Sequence, residues 1–534
     1  MRTCISPGGK FVFGIHKPAY SVRNLRSRTR VEKLGSDRQG APVVNEANYP
    51  PGNIEVEHAD WIYEIANPLP FRGTTFIGKG WADRSAEHPG RIKLVDQEEV
   101  SLHRWFESQR FDPTLIDSLP RPLLLSLAVT STDPADLVRL ARKSCRFEFD
   151  DDDRPIGLCY LEGPAGKPGI LDFDLFEAVA NNGHLADDYK IAMVIRPGAQ
   201  GGSEIVGDYH ESGATHIYEY LRTNSYIGGG HYAANMADDA IRYRIDHLSG
   251  ADIKGLRHLY YQRSYIRLAD FLAIELPGQS MTAAQLEDLR QSIVSHHNYR
   301  QTDMAATLWG WNFGFDFSPS GYRLHASHQQ IHQQYAMIPD RIEGFEGGSS
   351  AGFTDYQPFS SGDMIAEVIA AYRDVYESGF FLDYLRAISA NTRMDGRSDL
   401  NSNLIVWQDE QVMLFVPKAQ TSQWELQLMT KPDQEGNFAG NIVEASHQMR
   451  RSLDLGLLKA QQALAGRGAS MVTTIEYSKR FSSTLTDQPL IYCLMPKLPQ
   501  SMGAFSEAQL RFINGHYPED FAAVCRQSLD ELRI

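Results

Sequence analysis

The sequence predicts an α+β protein: a mixed α/β extension near the N-terminus, then two antiparallel sheets in tandem, each with flanking helices. Three observations predict it. Short apolar runs bounded by turn residues alternate with segments whose apolar residues recur every three or four positions. The order of these elements repeats, degenerately, between residues 201–345 and 401–534. The chain is 534 residues long, enough for about three domains at roughly 100–200 residues each.

Residues 1–55 read as a flexible basic arm: positions 1–40 hold nine Lys/Arg against two acids, and Pro50-Pro51-Gly52 closes the stretch. Residues 56–200 read as the α/β extension. Within it RPLLLSLAVT is a compact apolar run. PADLVRLARKS sets Leu137, Leu140 and Ala141 at helical spacing, and CRFEFDDDDRPIGLCYLEG reads as two strands about a polar turn. The Asp150–Asp153 run is a solvated turn rather than a metal site, because a cation wants carboxylates converging from different elements.

Residues 201–345 form the first half. FLAIEL (271–276) is a strand candidate. MTAAQLEDLRQSIVSHH is a helix, with a capping-box pair in Thr282 and Gln285 and an apolar stripe of Leu286, Leu289 and Ile293. ATLWGWNFGFDFSPSG is a strand that runs into a Gly/Ser/Pro loop, and YRLHASHQQIHQQYAMIP is another. Residues 346–400 begin with the linker EGGSSAG and continue as a helix with Met364, Ile365, Val368, Ile369, Tyr372, Val375 and Tyr376 on one face. Residues 401–534 are the second half: the hairpin LIVWQDEQVMLFVP, the strand QWELQLMTKP, a helix over NIVEASHQMRRSLDLGLLKAQQAL and the strand PLIYCLMPKLP.

Composition narrows the function. Apolar residues make up 42% and charged residues 22%, an ordinary globular balance. A net charge of −15 argues against a nucleic-acid partner. Cys4, Cys145, Cys159, Cys493 and Cys525 form no C-x-x-C pair, which excludes a disulfide framework and a four-cysteine zinc site and fits a reducing cytoplasm. No run of 18 apolar residues and no apolar signal core near Met1–Gly14 appears, so neither a membrane partner nor export is expected.

The sharpest feature is L-H-A-S-H-Q-Q-I-H-Q-Q, Leu324–Gln334. On a strand, Ala326, His328, Gln330 and His332 share one face, and His325 lies on the other. Asn312, Gly314, Ser318, Ser320 and Gly321 precede it in a loop able to supply short donors to a phosphate. Two chemistries compete. H-Q-Q-I-H has the spacing of a zinc metalloprotease helix, but Gln329 cannot act as the base and the flanks favour a strand. A neutral imidazole can instead attack phosphorus and form a phosphoramidate, with His328 as nucleophile and Gln330 as a neutral donor to the phosphoryl oxygens.

These residues resemble the histidine triad (HIT) superfamily, and within it the galactose-1-phosphate uridylyltransferase branch, which includes the dinucleoside polyphosphate phosphorylases. That branch carries Asn, a Ser-rich loop, then H-x-H-x-Q, on two tandem copies of the fold. His328 matches the nucleotidylated histidine, Gln330 the glutamine, Asn312 the asparagine, and Ser318 or Ser320 the loop serine. Ala326 stands where the first histidine would be; His325 is adjacent, and His332 lies one strand step beyond Gln330. The second half lacks the motif, with LIYCLMPKL in its place. The resemblance implies HIT-like antiparallel halves, a nucleotide or nucleotide-sugar substrate and a homodimer. It makes no cofactor certain, and a divalent metal is left open.

A second feature is TNSYIGGGHYAANMADDAIRYRI, where Gly228, Gly229 and Gly230 precede a helical-looking run and His231 adds a donor. Free N–H groups at a helix N-terminus suit a phosphate, although no G-K-[ST] follows and a plain turn stays open. Downstream, Arg263 and Arg267 are candidate phosphate ligands. The expected function is a nucleotidyltransferase or nucleotide phosphorylase working through a nucleotidyl-histidine, with a sugar phosphate or inorganic phosphate as acceptor. A nucleotide hydrolase of the same superfamily and a catalytically inactive nucleotide-binding protein are the alternatives.

Overall fold

A computed structural model of the chain describes residues 2–16, 20–28, 30–56, 60–69, 73–95, 98–161, 166–193, 213, 217, 244–278, 281–314, 332–343, 355–498 and 503–532. The N-terminal part supplies β1 (Gly14–His16), β2 (Ile62–Ala66), β3 (Thr74–Gly78) and α1 (Lys79–Glu87). Helices α2 (Arg121–Thr130), α3 (Pro134–Ser144) and α4 (Phe173–Ala180) follow. Next come α5 (Gly250–Phe271), α6 (Ala283–Ser295), β4 (Met304–Gly314), β5 (His332–Pro339), α7 (Ser361–Tyr376) and α8 (Phe380–Ser389). The last stretch runs β6 (Ile405–Gln408), β7 (Val412–Phe415), β8 (Leu426–Thr430), α9 (His447–Ala465), β9 (Met471–Tyr477), β10 (Ile491–Pro496), β11 (Arg511–Asn514) and α10 (Pro518–Glu531). The protein is α+β.

The main sheet has seven strands in the order β5-β4-β9-β10-β8-β7-β6, every neighbouring pair antiparallel. Strands from residues 304–339 and 405–496 therefore share one sheet, joined where β4 pairs with β9. A helix followed by two strands, α6-β4-β5 and α9-β9-β10, occurs on each side of that junction. A four-stranded sheet, β11-β3-β2-β1, ties the N-terminal strands to the C-terminal segment, with β11 parallel to β3.

Alternation along the strands splits the core in two. Trp309, Trp311 and Phe313 of β4, with Val472, Tyr492 and Leu494, pack against α5, α6 and α9. Met413, Phe415, Met429, Ile491 and Cys493 point the other way, onto α7, α8 and the β2-β3 strands. A third core lies wholly within residues 98–193.

Several local expectations hold. Thr282 and Gln285 form the capping box of α6, Leu137, Leu140 and Ala141 line the buried face of α3, and Asp150–Asp153 occupies a hairpin turn between Phe147–Phe149 and Pro155–Leu158. Two do not. FLAIEL is not a strand: Phe271 closes α5, Leu272 caps it, and Ala273 turns out with φ 53°. The Ser249–Asp252 capping box starts that helix, and its buried face runs through Leu268 and Ala269, so the apolar run belongs to a helix end. The flexible arm gives way over residues 2–16. Cys4 and Ile5 are buried in the second core, with Phe11 and Phe13 against it, because apolar side chains there anchor a segment whose charges read as a tail. Gly9, at φ 80°, lies so close to α8 that a Cβ would come 2.9 Å from the Asp383 carbonyl oxygen.

Candidate functional site

Asn312 and Gly314 close β4. Asn312 pairs directly with position 332 on β5 and with Thr473 on β9; Gly310 pairs with Gln334 and Ile475. Directly opposed residues share a face. Since Trp309, Trp311 and Phe313 fill the first core, Leu308, Gly310 and Asn312 lie on the opposite face. That face is open here. Leu308, Gln334 and Ala336 are exposed, and Gly310, Asn312, Thr473, Ile475 and Met495 are half-buried. Position 332 falls in the same transverse row as Asn312 and Thr473.

Asn312 is held in place. Its Oδ1 accepts a hydrogen bond from the Thr473 hydroxyl at 2.7 Å. Gly314 has φ 102°, and a Cβ there would lie 2.1 Å from the Ser470 carbonyl oxygen and 2.8 Å from Ile245. Gly310 is similarly tight, 2.9 Å from the Thr474 carbonyl. The glycines let β9 approach the backbone of β4 closely, which brings Thr473 within reach of Asn312.

Behind the site, the other face is built around Arg257, which is fully buried. Its guanidinium reaches the Tyr492 hydroxyl at 2.6 Å, the Tyr261 hydroxyl at 3.0 Å and Asp454 at 3.1 Å. It lies 4.4 Å from the Trp309 ring centre. Glu476 accepts from Tyr260 at 2.6 Å, from Thr307 at 3.2 Å and from Tyr492. Burial pushes the Asp454 carboxyl up to about 6 against the pull of Arg257, and burial likewise raises that of Glu476. This network ties α5 and α9 to β4, β9 and β10 and fixes the back of the strand that carries Asn312.

Asn312 and Gly314 are thus together at one strand end. Arg263 and Arg267 are not with them. They stand on α5, which packs on the Trp309 face, so the sheet separates them from Asn312. Arg263 lies beside Tyr335, and burial lowers its guanidinium's pKa. The backbone of His332 begins β5. His325, His328, Gln330, Ser318, Ser320, Gly229, Gly230 and His231 lie outside the described residues. Among the described residues, no group of three or more His, Cys, Asp or Glu could hold a metal ion. A cleft of 290 Å³ lined by Arg2, Asn67, Pro68, Gly73, Glu367, Val368 and Ala371 shares no residue with the Asn312 face. Thr473 is the site residue that the sequence reading passes over. Its signal was local: Met471–Tyr477 is dense in β-branched residues, with Val472, Thr473, Thr474 and Ile475 in succession.

No family model and no curated protein matches the sequence. Among solved structures, the chain is similar to a uridylyltransferase (12% identity over 48% of this chain and 76% of that one, TM-score 0.32). It is similar to an ADP-glucose phosphorylase from Arabidopsis thaliana with bound ADP-glucose (13%, 46% and 68%, TM-score 0.31). It is also similar to a GalT-like protein of the same plant (12%, 46% and 69%, TM-score 0.31). Among the described residues, no helix is long and apolar enough to cross a membrane.

Proposed function

We propose that the chain is a nucleotidyltransferase or nucleotide phosphorylase that works through a nucleotidyl-histidine on His328. The observation that carries this reading is the register at the end of β4, where Asn312 sits directly opposite position 332 on an open sheet face. The sequence alternation assigns His328 and Gln330 to the same side as position 332. A neutral imidazole nitrogen of His328 attacks phosphorus; a P–N bond forms and the P–O bond to the leaving phosphate breaks. The acceptor oxygen, from a sugar phosphate or inorganic phosphate, then attacks the same phosphorus and the P–N bond breaks. Asn312 and Gln330 donate neutral hydrogen bonds to the phosphoryl oxygens as charge develops there. Residues 201–345 and 401–534 serve in this reading as tandem HIT-like halves, the second without the histidine motif.

A second reading is hydrolysis at the same site. It is favoured by the backbone of His332, which lies in the Asn312 row, and by the further histidine that the sequence supplies there. Intact-protein mass spectrometry after incubation with ADP-glucose, UDP-glucose and dinucleoside polyphosphates separates the two. Transfer predicts a gain of one nucleotidyl group that is absent in His328→Ala. Nucleotide release into solution without an adduct supports hydrolysis instead. Binding without either outcome leaves a nucleotide-binding protein and sinks the enzyme reading.

A further inference from the structure

We infer that Thr473 is a positioning residue, which orients the Asn312 amide so that it presents hydrogen-bond donors to a phosphate-bearing ligand on the open sheet face. The inference rests on the proposed function and assigns part of that site to the second half of the chain. A carboxamide has nearly the same shape either way round; only its hydrogen bonds decide whether oxygen or nitrogen faces a site. The Thr473 hydroxyl donates to Asn312 Oδ1 at 2.7 Å. That bond engages the acceptor on the β9 side, so the amide nitrogen is the polar group of the side chain that it leaves for a ligand. Reversed, Asn312 would direct a lone pair at a phosphoryl oxygen and repel it.

The strand dictates which residue can do this. In β9, Val472 enters the first core, Thr474 accepts from the Trp311 indole at 2.9 Å, and Glu476 accepts from Tyr260. Residues 471, 473 and 475 therefore point to the other face. Of these, Thr473 alone has a hydroxyl, and it lies directly across from Asn312. Both residues are half-buried, so water competes less for the bond than at the surface. Thr473 and Asn312 are both uncharged, and neither adds a charge that would compete with an imidazole nucleophile.

The test reads binding and stability of the full chain together. ADP-glucose and UDP-glucose are titrated calorimetrically into wild type, Thr473→Val and Thr473→Ser, and the thermal midpoint of each is recorded. Valine keeps the β-branched shape and loses the proton; serine keeps the proton and loses the methyl. A purely structural role makes serine the worse variant, because β-branched side chains favour strands. Positioning predicts the reverse: valine weakens binding about tenfold with an unchanged midpoint, and serine stays within about twofold of wild type. Wild-type affinity in Thr473→Val, or a serine variant as weak as valine, overturns the inference and leaves the proposed function standing. A wild type that neither binds nor is labelled by either nucleotide sugar overturns the proposed function and this inference with it.

Discussion

At the scale of single residues, the site depends on backbone that only glycine can supply. Gly314 combines φ 102° with a 2.1 Å approach of its missing Cβ to the Ser470 carbonyl oxygen. Gly8 has a similar φ of 85° with open space around it. Gly8→Ala should therefore show the conformational cost alone, about 1 kcal/mol, whereas Gly314→Ala should cost about 2 kcal/mol or more, because backbone on β9 must also move. Urea denaturation of both variants checks this. Equal shifts in midpoint would mean that β9 yields freely and that the close β4–β9 approach is not what fixes Asn312. The sequence showed Asn312 and Gly314 as a pair but not what orients them. Thr473 is 161 residues away, and no local pattern couples a hydroxyl on one strand to an amide on another. That Arg263 and Arg267 stand across the sheet from Asn312 was not legible for the related reason that spacing along a helix does not say which side of a sheet the helix covers.

Elements show the same division. Where the cause is local, it could be read: the Thr282 cap, the α3 stripe and the hairpin around Asp150–Asp153 all follow from residues within a few positions. Where an apolar run could close a helix or open a strand, as at 271–276, composition could not choose, and packing of α5 on the sheet decided it. That packing turns on Arg257. Arg257→Met keeps most of the volume but leaves Asp454 and Glu476 buried without their cation, a loss of about 3–5 kcal/mol at neutral pH. The pH dependence has a definite sign. The folded-state pKa of Asp454 is raised to about 6, so its ionised form already opposes folding above that value. Below it Asp454 is protonated with or without Arg257. The deficit of the variant should thus shrink as pH falls toward 6, by at most about 1.4 kcal/mol per pH unit for this one proton, visible as converging urea midpoints. A deficit that is constant from pH 7 to 5 would show that Arg257 acts through its packing on Trp309 and the tyrosines, not through charge.

For the whole molecule, the division into three cores governs how the chain comes apart. By sequence, residues 56–200 read as one extension. In the structure, β2 and β3 join the main body through β11, and residues 98–193 build a core of their own. That core is closed by polar contacts made within it. Buried Asp136 accepts from the backbone N–H groups of Leu102 at 2.9 Å and His103 at 2.8 Å and from the Ser131 hydroxyl at 2.9 Å. Arg121 on α2 reaches Asp172 at 2.8 Å, just ahead of α4. The seven-stranded sheet is different in kind, because β4 and β5 cannot be removed without exposing the β9 edge. Unfolding should therefore occur in two steps: one transition for residues 98–193, with a urea slope of about 1 kcal/mol/M as suits a unit of that size, and a steeper one for the rest. Hydrogen exchange followed by fragment mass analysis assigns the steps. Amides of α2, α3 and α4 should lose protection together, apart from those of β4, β9 and β10. If all of them exchange in a single cooperative event, the third core is not an independent unit, and the Asn312 face would share its stability with the whole chain instead of with the sheet and its two helical layers.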